Sequence, residues 1–353
     1  MTVDTSKPAR YRRHIPRGTR LRRHDPDREG SLVTASSQDA ADRELRVRRR
    51  QTGAPGVIVL ELDDPDGAEL PPWEPGAHLD LALPGGLDRQ YSLCGDPADR
   101  TSYTIAVLRE PQSRGGSAWV HQKLTTGGRV RLREVRNLFP LAPAEHYVFV
   151  AGGIGITPIL PMLAAATAAG SSWELHYGGR SRRSMAFLDD LVAEGDSVVR
   201  IYPQDEVGIL PVADLVGTPR EGALVYACGP GPLLDAVQEQ ASRWPEGSVH
   251  IERFAPAEVG APVWDGAFEV ELAYSGLTVT VEPGESVLET IEAAGISCLS
   301  SCQDGTCGTC ETPVLEGEVD HRDSILTEAE RALHDKMFIC VSRAACPKLV
   351  VGL

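Results

Sequence analysis

Several things are missing from this sequence, and each absence removes a class of function. No window approaches eighteen uninterrupted apolar residues, so no membrane-spanning helix is expected. Residues 1–40 contain no apolar stretch leading to a small-residue cleavage site, so no secretory signal is read there. Positive charge is short: 35 Lys and Arg face 50 Asp and Glu, a formal net charge of −15. That balance argues against nucleic acid as a general partner. What remains is ordinary for soluble globular protein, with 42% hydrophobic and 24% charged residues among 353, enough for two or three domains.

Eight cysteines are present, and four fall in a pattern. Cys302, Cys307 and Cys310 are spaced C-x4-C-x2-C, and Cys340 follows thirty residues later. This is the plant-type [2Fe–2S] spacing, in which each iron takes two thiolates. A tight loop presents three of them and a later strand is expected to supply the fourth. Gly305, Thr306, Gly308 and Thr309 are small enough for backbone N–H groups to turn toward cluster sulfur. The alternative is structural zinc, but such sites usually pair two C-x2-C units and only one occurs here. Thiolate ligands fit a reducing cytoplasm. Cys94, Cys298 and Cys346 are read as structural.

Charge is unevenly distributed. Residues 1–24 carry eight Lys or Arg against the single acid Asp4, whereas 267–353 carry fifteen acids against five bases, a net of −10. The basic arm, 1–41, is either disordered and solvated or docked on an acidic surface.

From residue 42 to 142 short strands alternate with Pro/Gly punctuation: Leu45–Arg49, Val57–Leu62, His78–Leu83, Gln90–Leu93, Tyr103–Leu108 and Val130–Arg133. One helical insert, Ala118–Leu124, interrupts them, which suggests a small antiparallel barrel. Within it, Arg89-Gln90-Tyr91-Ser92 offers a cation, a ring and a hydroxyl near a strand end. Arg114-Gly115-Gly116-Ser117 opens the helix, and unobstructed N–H groups with the helix dipole suit a phosphate. Residues 143–255 then read as a nucleotide domain. Strand Tyr147–Ala151 leads through Gly152-Gly153-Ile154-Gly155-Ile156-Thr157-Pro158 into helix Ile159–Ala169. After strand Trp173–Tyr177 come Arg180, Ser181 and Arg182, where NAD-preferring dehydrogenases usually place an acid. That turn leans slightly toward NADPH, with NADH left open. Strand Val225–Cys228 runs through Gly229-Pro230 into helix Gly231–Ala241, and His250–Phe254 closes the domain. Residues 256–266, with Pro256, Gly260, Pro262 and Gly266, read as a linker. Over 267–353 a hairpin, a helix capped by Ser286, the cysteine loop, a capping box at Thr327–Glu330 and a last strand describe a β-grasp fold.

These motifs, in this order, resemble the phthalate dioxygenase reductase family over residues 42–353. The resemblance implies a flavin-binding antiparallel β-barrel, a Rossmann-like domain and a β-grasp ferredoxin domain, carrying FMN rather than FAD. R-x-Y-S and the Arg114–Ser117 turn would hold the flavin, with Arg89 on its phosphate, Tyr91 on its ring and Ser92 near N5. Gly153, Gly155, Thr157, Pro158, Gly229 and Pro230 would cradle the nucleotide. Thr157, Cys228 and Phe254 would lie about the nicotinamide. The implied activity is an NAD(P)H-dependent oxidoreductase feeding a Rieske-type oxygenase or a cytochrome P450, as a cytoplasmic monomer. A redox sensor, or a plain flavin reductase with a structural metal, is the competing reading.

Overall fold

A computed structural model describes residues 43–111, 115–191 and 198–353. The basic arm of 1–41 and Arg114 lie outside these residues. Among the described residues no helix is long and apolar enough to cross a membrane.

The first sheet contains β1 (Arg43–Ala54), β2 (Val57–Asp63), β3 (Ala77–Leu83), β4 (Leu87–Ser92), β5 (Tyr103–Leu108) and β6 (Arg129–Asn137). Their order is β4-β3-β6-β1-β2-β5, antiparallel throughout. A bridge from Leu93 to Ile105 returns the end of β4 to β5 and closes a barrel. Alternate residues fill it: Leu45, Leu60, Leu62, Leu79, Leu81, Ile105 and Leu132 are all fully buried. Each such side chain contributes roughly 1.5–3 kcal/mol. β1 runs well past the expected Leu45–Arg49 because its polar residues still pair with β2, through two bulges. Ladder bonds serve the backbone whatever the side chain. Helix α1 (Gly116–Lys123) lies between β5 and β6 and buries Val120 in the barrel core.

The second sheet is parallel: β7 (His146–Gly152), β8 (Ser172–Gly179), β9 (Val198–Pro203), β10 (Ala223–Cys228) and β11 (Val249–Glu252), in the order β11-β10-β7-β8-β9. Helices α2 (Ile156–Ala169), α3 (Gln204–Val207), α4 (Val212–Val216) and α5 (Gly231–Ala241) belong to it. Successive β7 residues point to opposite faces, so Phe149 joins a core with Met162 and Tyr226 while Val148 and Val150 join Leu234 and Val237. This is the doubly wound, Rossmann-like arrangement. Its strand order switches direction between β7 and β10, where such sheets form their ligand crevice.

The third region holds β12 (Phe268–Leu272), β13 (Leu277–Val281), α6 (Val287–Ala293), β14 (Glu311–Glu316), β15 (Val319–Asp320), α7 (Glu328–Arg331), β16 (Lys336–Phe338), β17 (Arg343–Ala344) and β18 (Lys348–Val351). The main sheet runs β13-β12-β18-β14-β16, with β12 parallel to β18, and β15 pairs with β17. Ser286 caps α6 through a reciprocal exchange with Glu289, each bond 3.1 Å. Val287, Leu288 and Ile291 then face the sheet core, completing a β-grasp fold. The linker is tied down rather than free: Ala257 N–H donates to Ser324 Oγ at 2.8 Å, Arg322 to Gly260 O at 2.7 Å, and Trp264 packs on the core.

Candidate functional site

The cysteine loop follows α6 and precedes β14. Cys302, Cys307, Cys310 and Cys340 are all buried, and none forms a disulfide. Cys340 lies in the turn just after β16, not within a strand as expected. The sulfurs hydrogen-bond in pairs, Cys302 with Cys307 and Cys310 with Cys340, and Cys302 also reaches Cys340. A pairwise grouping suits two irons taking two thiolates each. Backbone N–H groups point inward, that of Asp304 to Cys302 Sγ and that of Cys302 to Cys307 Sγ, both at 3.4 Å. Hydrogen bonding to Cys307 and then Cys340 pulls Cys302 far below the ordinary thiol range. The same contacts push Cys307 and Cys340 far above it. Four sulfurs this crowded cannot all ionise alone, and bound iron would supply the missing positive charge. The residues fit a cluster.

Arg89, Gln90, Tyr91 and Ser92 form the last four positions of β4. Arg89 and Tyr91 share one face, and Arg89 lies across Gly116 at the start of α1. A β-carbon on Gly116 would come within 2.5 Å of Arg89 Nε, so only glycine leaves the guanidinium room. Gly115, the N-cap, has φ of 96°. Arg89 Nη1 donates to Asp88 O at 2.6 Å, but its buried Nη2 has no hydrogen-bond partner among the described residues. An unpartnered guanidinium nitrogen beside a helix N-terminus is the environment a phosphate satisfies. The buried Tyr91 hydroxyl also has no partner among the described residues, and burial raises its pKa. These residues fit a flavin phosphate and ring.

Gln90 and Ser92 point the other way, beside His78 and Asp80 of β3. His78 and Asp80 are 5% and 2% exposed, so this outer face of the barrel is covered rather than solvated. Gln90 Nε2 donates to Asp80 Oδ1 at 2.5 Å and to Ser301 Oγ at 2.7 Å. The side chain thus reaches the cysteine loop. Burial pushes Asp80 up to about 6, against hydrogen bonding from Gln90 and the charge of Arg136. Burial, with Arg136 adding to it, pushes His78 down to about 4, and Cys302 is near enough to oppose that fall.

At the crevice of the parallel sheet two loops meet backbone to backbone. A β-carbon on Gly155 would come within 2.3 Å of Cys228 O and 2.6 Å of Gly229 N. Close approach of loops explains this glycine as much as approach of a ligand. Gly153 has φ of 55° and open space around it. α2 starts at Ile156, three residues earlier than expected, so Thr157 and Pro158 fall in its first turn. The buried Thr157 hydroxyl donates to Ile154 O at 2.9 Å. Cys228 is fully buried at the end of β10, and burial raises its thiol well above the usual range. Its Sγ lies 3.8 Å from Glu252 Oε2. Glu252 is half-buried, yet its carboxyl turns inward, and desolvation lifts it to about 8. Phe254, two residues beyond, is 44% exposed. Pro230 precedes α5. At the candidate ribose turn Arg182 is already engaged, donating to Glu206 at 3.0 and 3.3 Å. Ser181 and Ser184 cap each other, and Arg180 is exposed. Sequence reading missed Glu252, His78, Asp80, Ser301 and Glu206. Glu252 closes the short edge strand β11, in register with Cys228, a pairing that the nearby sequence does not signal.

The comparisons agree with this geometry. Residues 270–345 match the 2Fe-2S iron-sulfur cluster binding domain. Phenoxybenzoate dioxygenase subunit beta of Ectopseudomonas oleovorans is 43% identical over 310 residues, covering 88% of this chain and 97% of that protein. An intact type IV self-sufficient cytochrome P450 monooxygenase superposes with a TM-score of 0.82 at 44% identity, over 92% of this chain. This chain spans only 43% of that larger protein. Phthalate dioxygenase reductase, described as a modular structure for electron transfer from pyridine nucleotides to [2Fe-2S], superposes with a TM-score of 0.65 at 36% identity, over 90% of this chain and all of that one. Barrel, parallel sheet and cluster module recur together along nearly the full length, and the chain belongs to the phthalate dioxygenase reductase family.

Proposed function

We propose that this protein is the reductase component of an oxygenase system, taking electrons from NADH or NADPH and delivering them singly to a separate Rieske-type oxygenase or cytochrome P450. The observation that carries the reading is the convergence of four paired, buried thiols with the flavin-type strand, joined through Gln90 and Ser301. When bound, FMN would accept one hydride, that is two electrons, and a [2Fe–2S] cluster would accept one electron at a time, so the flavin belongs between nucleotide and cluster.

The chain's own residues position and insulate these groups. Arg89 Nη2 and the N-terminus of α1 would hold the flavin phosphate, and Tyr91 and Ser92 would border the ring. Gly153, Thr157, Pro158, Gly229 and Pro230 line the crevice that would take the nucleotide. Glu252, protonated near neutral pH, would present a neutral acid beside Cys228. Arg182, balanced by Glu206, offers a 2′-phosphate little net charge, so both nicotinamides remain substrates to test. Cys302, Cys307, Cys310 and Cys340 would hold the irons as thiolates, in keeping with a reducing cytoplasm.

The test is an absorbance spectrum of the purified protein, before and after adding NADH or NADPH without oxygen. A flavin band with a broad long-wavelength shoulder, both bleached by one nucleotide, is the expected result. A flavin band alone, with zinc in a metal assay, would overturn the reading in favour of a plain flavin reductase.

A further inference from the structure

The outer face of β3 and β4 is buried although its residues are polar. Two-residue alternation puts His78, Asp80, Gln90 and Ser92 on that face, opposite the barrel core. Something must satisfy them, and for Gln90 it is Ser301, the residue immediately before the first cluster cysteine.

We propose that Gln90 is a positioning residue for electron transfer between flavin and cluster, its amide fastening the flavin strand to the cluster loop through Ser301. The inference rests on the function proposed above. A glutamine NH2 has two protons, and here each has its own acceptor: Asp80 Oδ1 at 2.5 Å and Ser301 Oγ at 2.7 Å. An ionised Asp80 only accepts, which fixes which end of the amide faces it. Asp80 is itself held, with Oδ2 3.6 Å from Arg136 Nε and its backbone in register between β4 and β6. The chain of contacts therefore runs from the rigid barrel wall to the ligand loop. The loop nears the barrel at a second point: a β-carbon on Gly308 would come 3.1 Å from Leu138 Cδ1, just past the end of β6. Gln90 and Leu138 thus meet the loop at two points, one just before its first cysteine and one between its second and third. Hydrogen bonds fix direction as well as distance, so this joint tolerates little sliding.

The test uses the full-length protein with both cofactors, mixed anaerobically with the nicotinamide that reduces the parent. Flavin bleaching and cluster bleaching are followed separately in Ser301→Ala, Gln90→Leu, the double variant and Ser301→Thr. Flavin content is measured first for each. Ser301→Ala should leave flavin reduction within about twofold of the parent while slowing cluster reduction on the order of tenfold or more, as small misplacements do. Gln90→Leu should slow cluster reduction similarly, the double variant no further, and Ser301→Thr should recover the rate. Unchanged cluster reduction in both single variants, or slowdowns that multiply in the double, would overturn the proposal. So would a shift in the cluster's midpoint potential large enough to account for the slowdown. A parent lacking flavin or cluster absorbance would instead overturn the functional reading, before any variant is compared.

Discussion

Against the parallel sheet the barrel presents Ala54, Val57, Val59, Cys94 and Ala106, which close on Ala186 with Ile154, Leu160 and Phe187 around them. Against the cluster module it presents the buried His78 and Asp80 and the half-buried Gln90, all polar. The apolar seam gains free energy from area removed from water, and such contact is non-directional. The polar seam gains little net free energy, because its bonds replace bonds to water. What it supplies is orientation. One barrel thus uses one face to hold a neighbour and another to aim one.

The sharpest way to break this contrast is to burden each seam in turn. Ala186→Asp places an uncompensated charge at a site that is 2% exposed and surrounded by carbon. It should cost about 3–5 kcal/mol and lower the first thermal transition by about 10 °C. Gln90→Leu removes two hydrogen bonds but keeps the volume, and should cost about 1–2 kcal/mol while affecting electron transfer more. Circular dichroism melts of the two variants check the ranking. Equal losses would mean that the polar seam carries as much stability as the apolar one.

Acidity separates the seams next. Burial lifts Asp80 to about 6, opposed by Gln90 and Arg136 and assisted by Glu134 and Asp88. Between the unfolded value near 3.8 and the folded value the native state holds the extra proton. Stability from this group is therefore full below about pH 4 and falls as pH rises through 6. Asp80→Asn keeps an acceptor for Gln90 and cannot titrate. Relative to the parent, its stability should rise between pH 4 and 7 by no more than about 3 kcal/mol. Urea midpoints at several pH values measure this. A constant difference would mean that Asp80 is ionised throughout, with water reaching the seam.

How much of this could be read beforehand follows from what each pattern encodes. Tyr103–Leu108, Leu277–Val281 and Gly231–Ala241 agree with the sequence reading to the residue, since period and punctuation are local properties. The cysteine spacing pointed to the cluster, and the family followed from that spacing together with the R-x-Y-S and glycine motifs in their order. Alternation in Ala77–Leu83 shows that His78 and Asp80 share a face, but not that another module covers it. The partners of Gln90 and Arg182 lie 211 and 24 residues away, so the nearby sequence gave no hint of Ser301 or Glu206. Gly155 reads as a ligand-facing glycine until the Cys228–Gly229 backbone is found against it.

The smallest expected effect separates the buried seam from the outer surface of the cluster module. Residues 267–353 carry fifteen acids against five bases, a net of −10. That charge would attract a basic patch on the electron acceptor and raise the rate of encounter. Salt shortens the reach of such attraction from about 10 Å at 0.1 M to about 3 Å at 1 M. Buried pairs such as Asp80 with Gln90 are screened far less. Reduction of the acceptor should therefore slow severalfold between low and high salt, while reduction of the cluster by flavin in the same protein should hardly change. Stopped-flow traces with and without acceptor separate the two steps. If both slowed together, salt would be acting on the polar seam, and its supposed shelter from solvent would be wrong. If neither slowed, the acidic surface would have no part in steering.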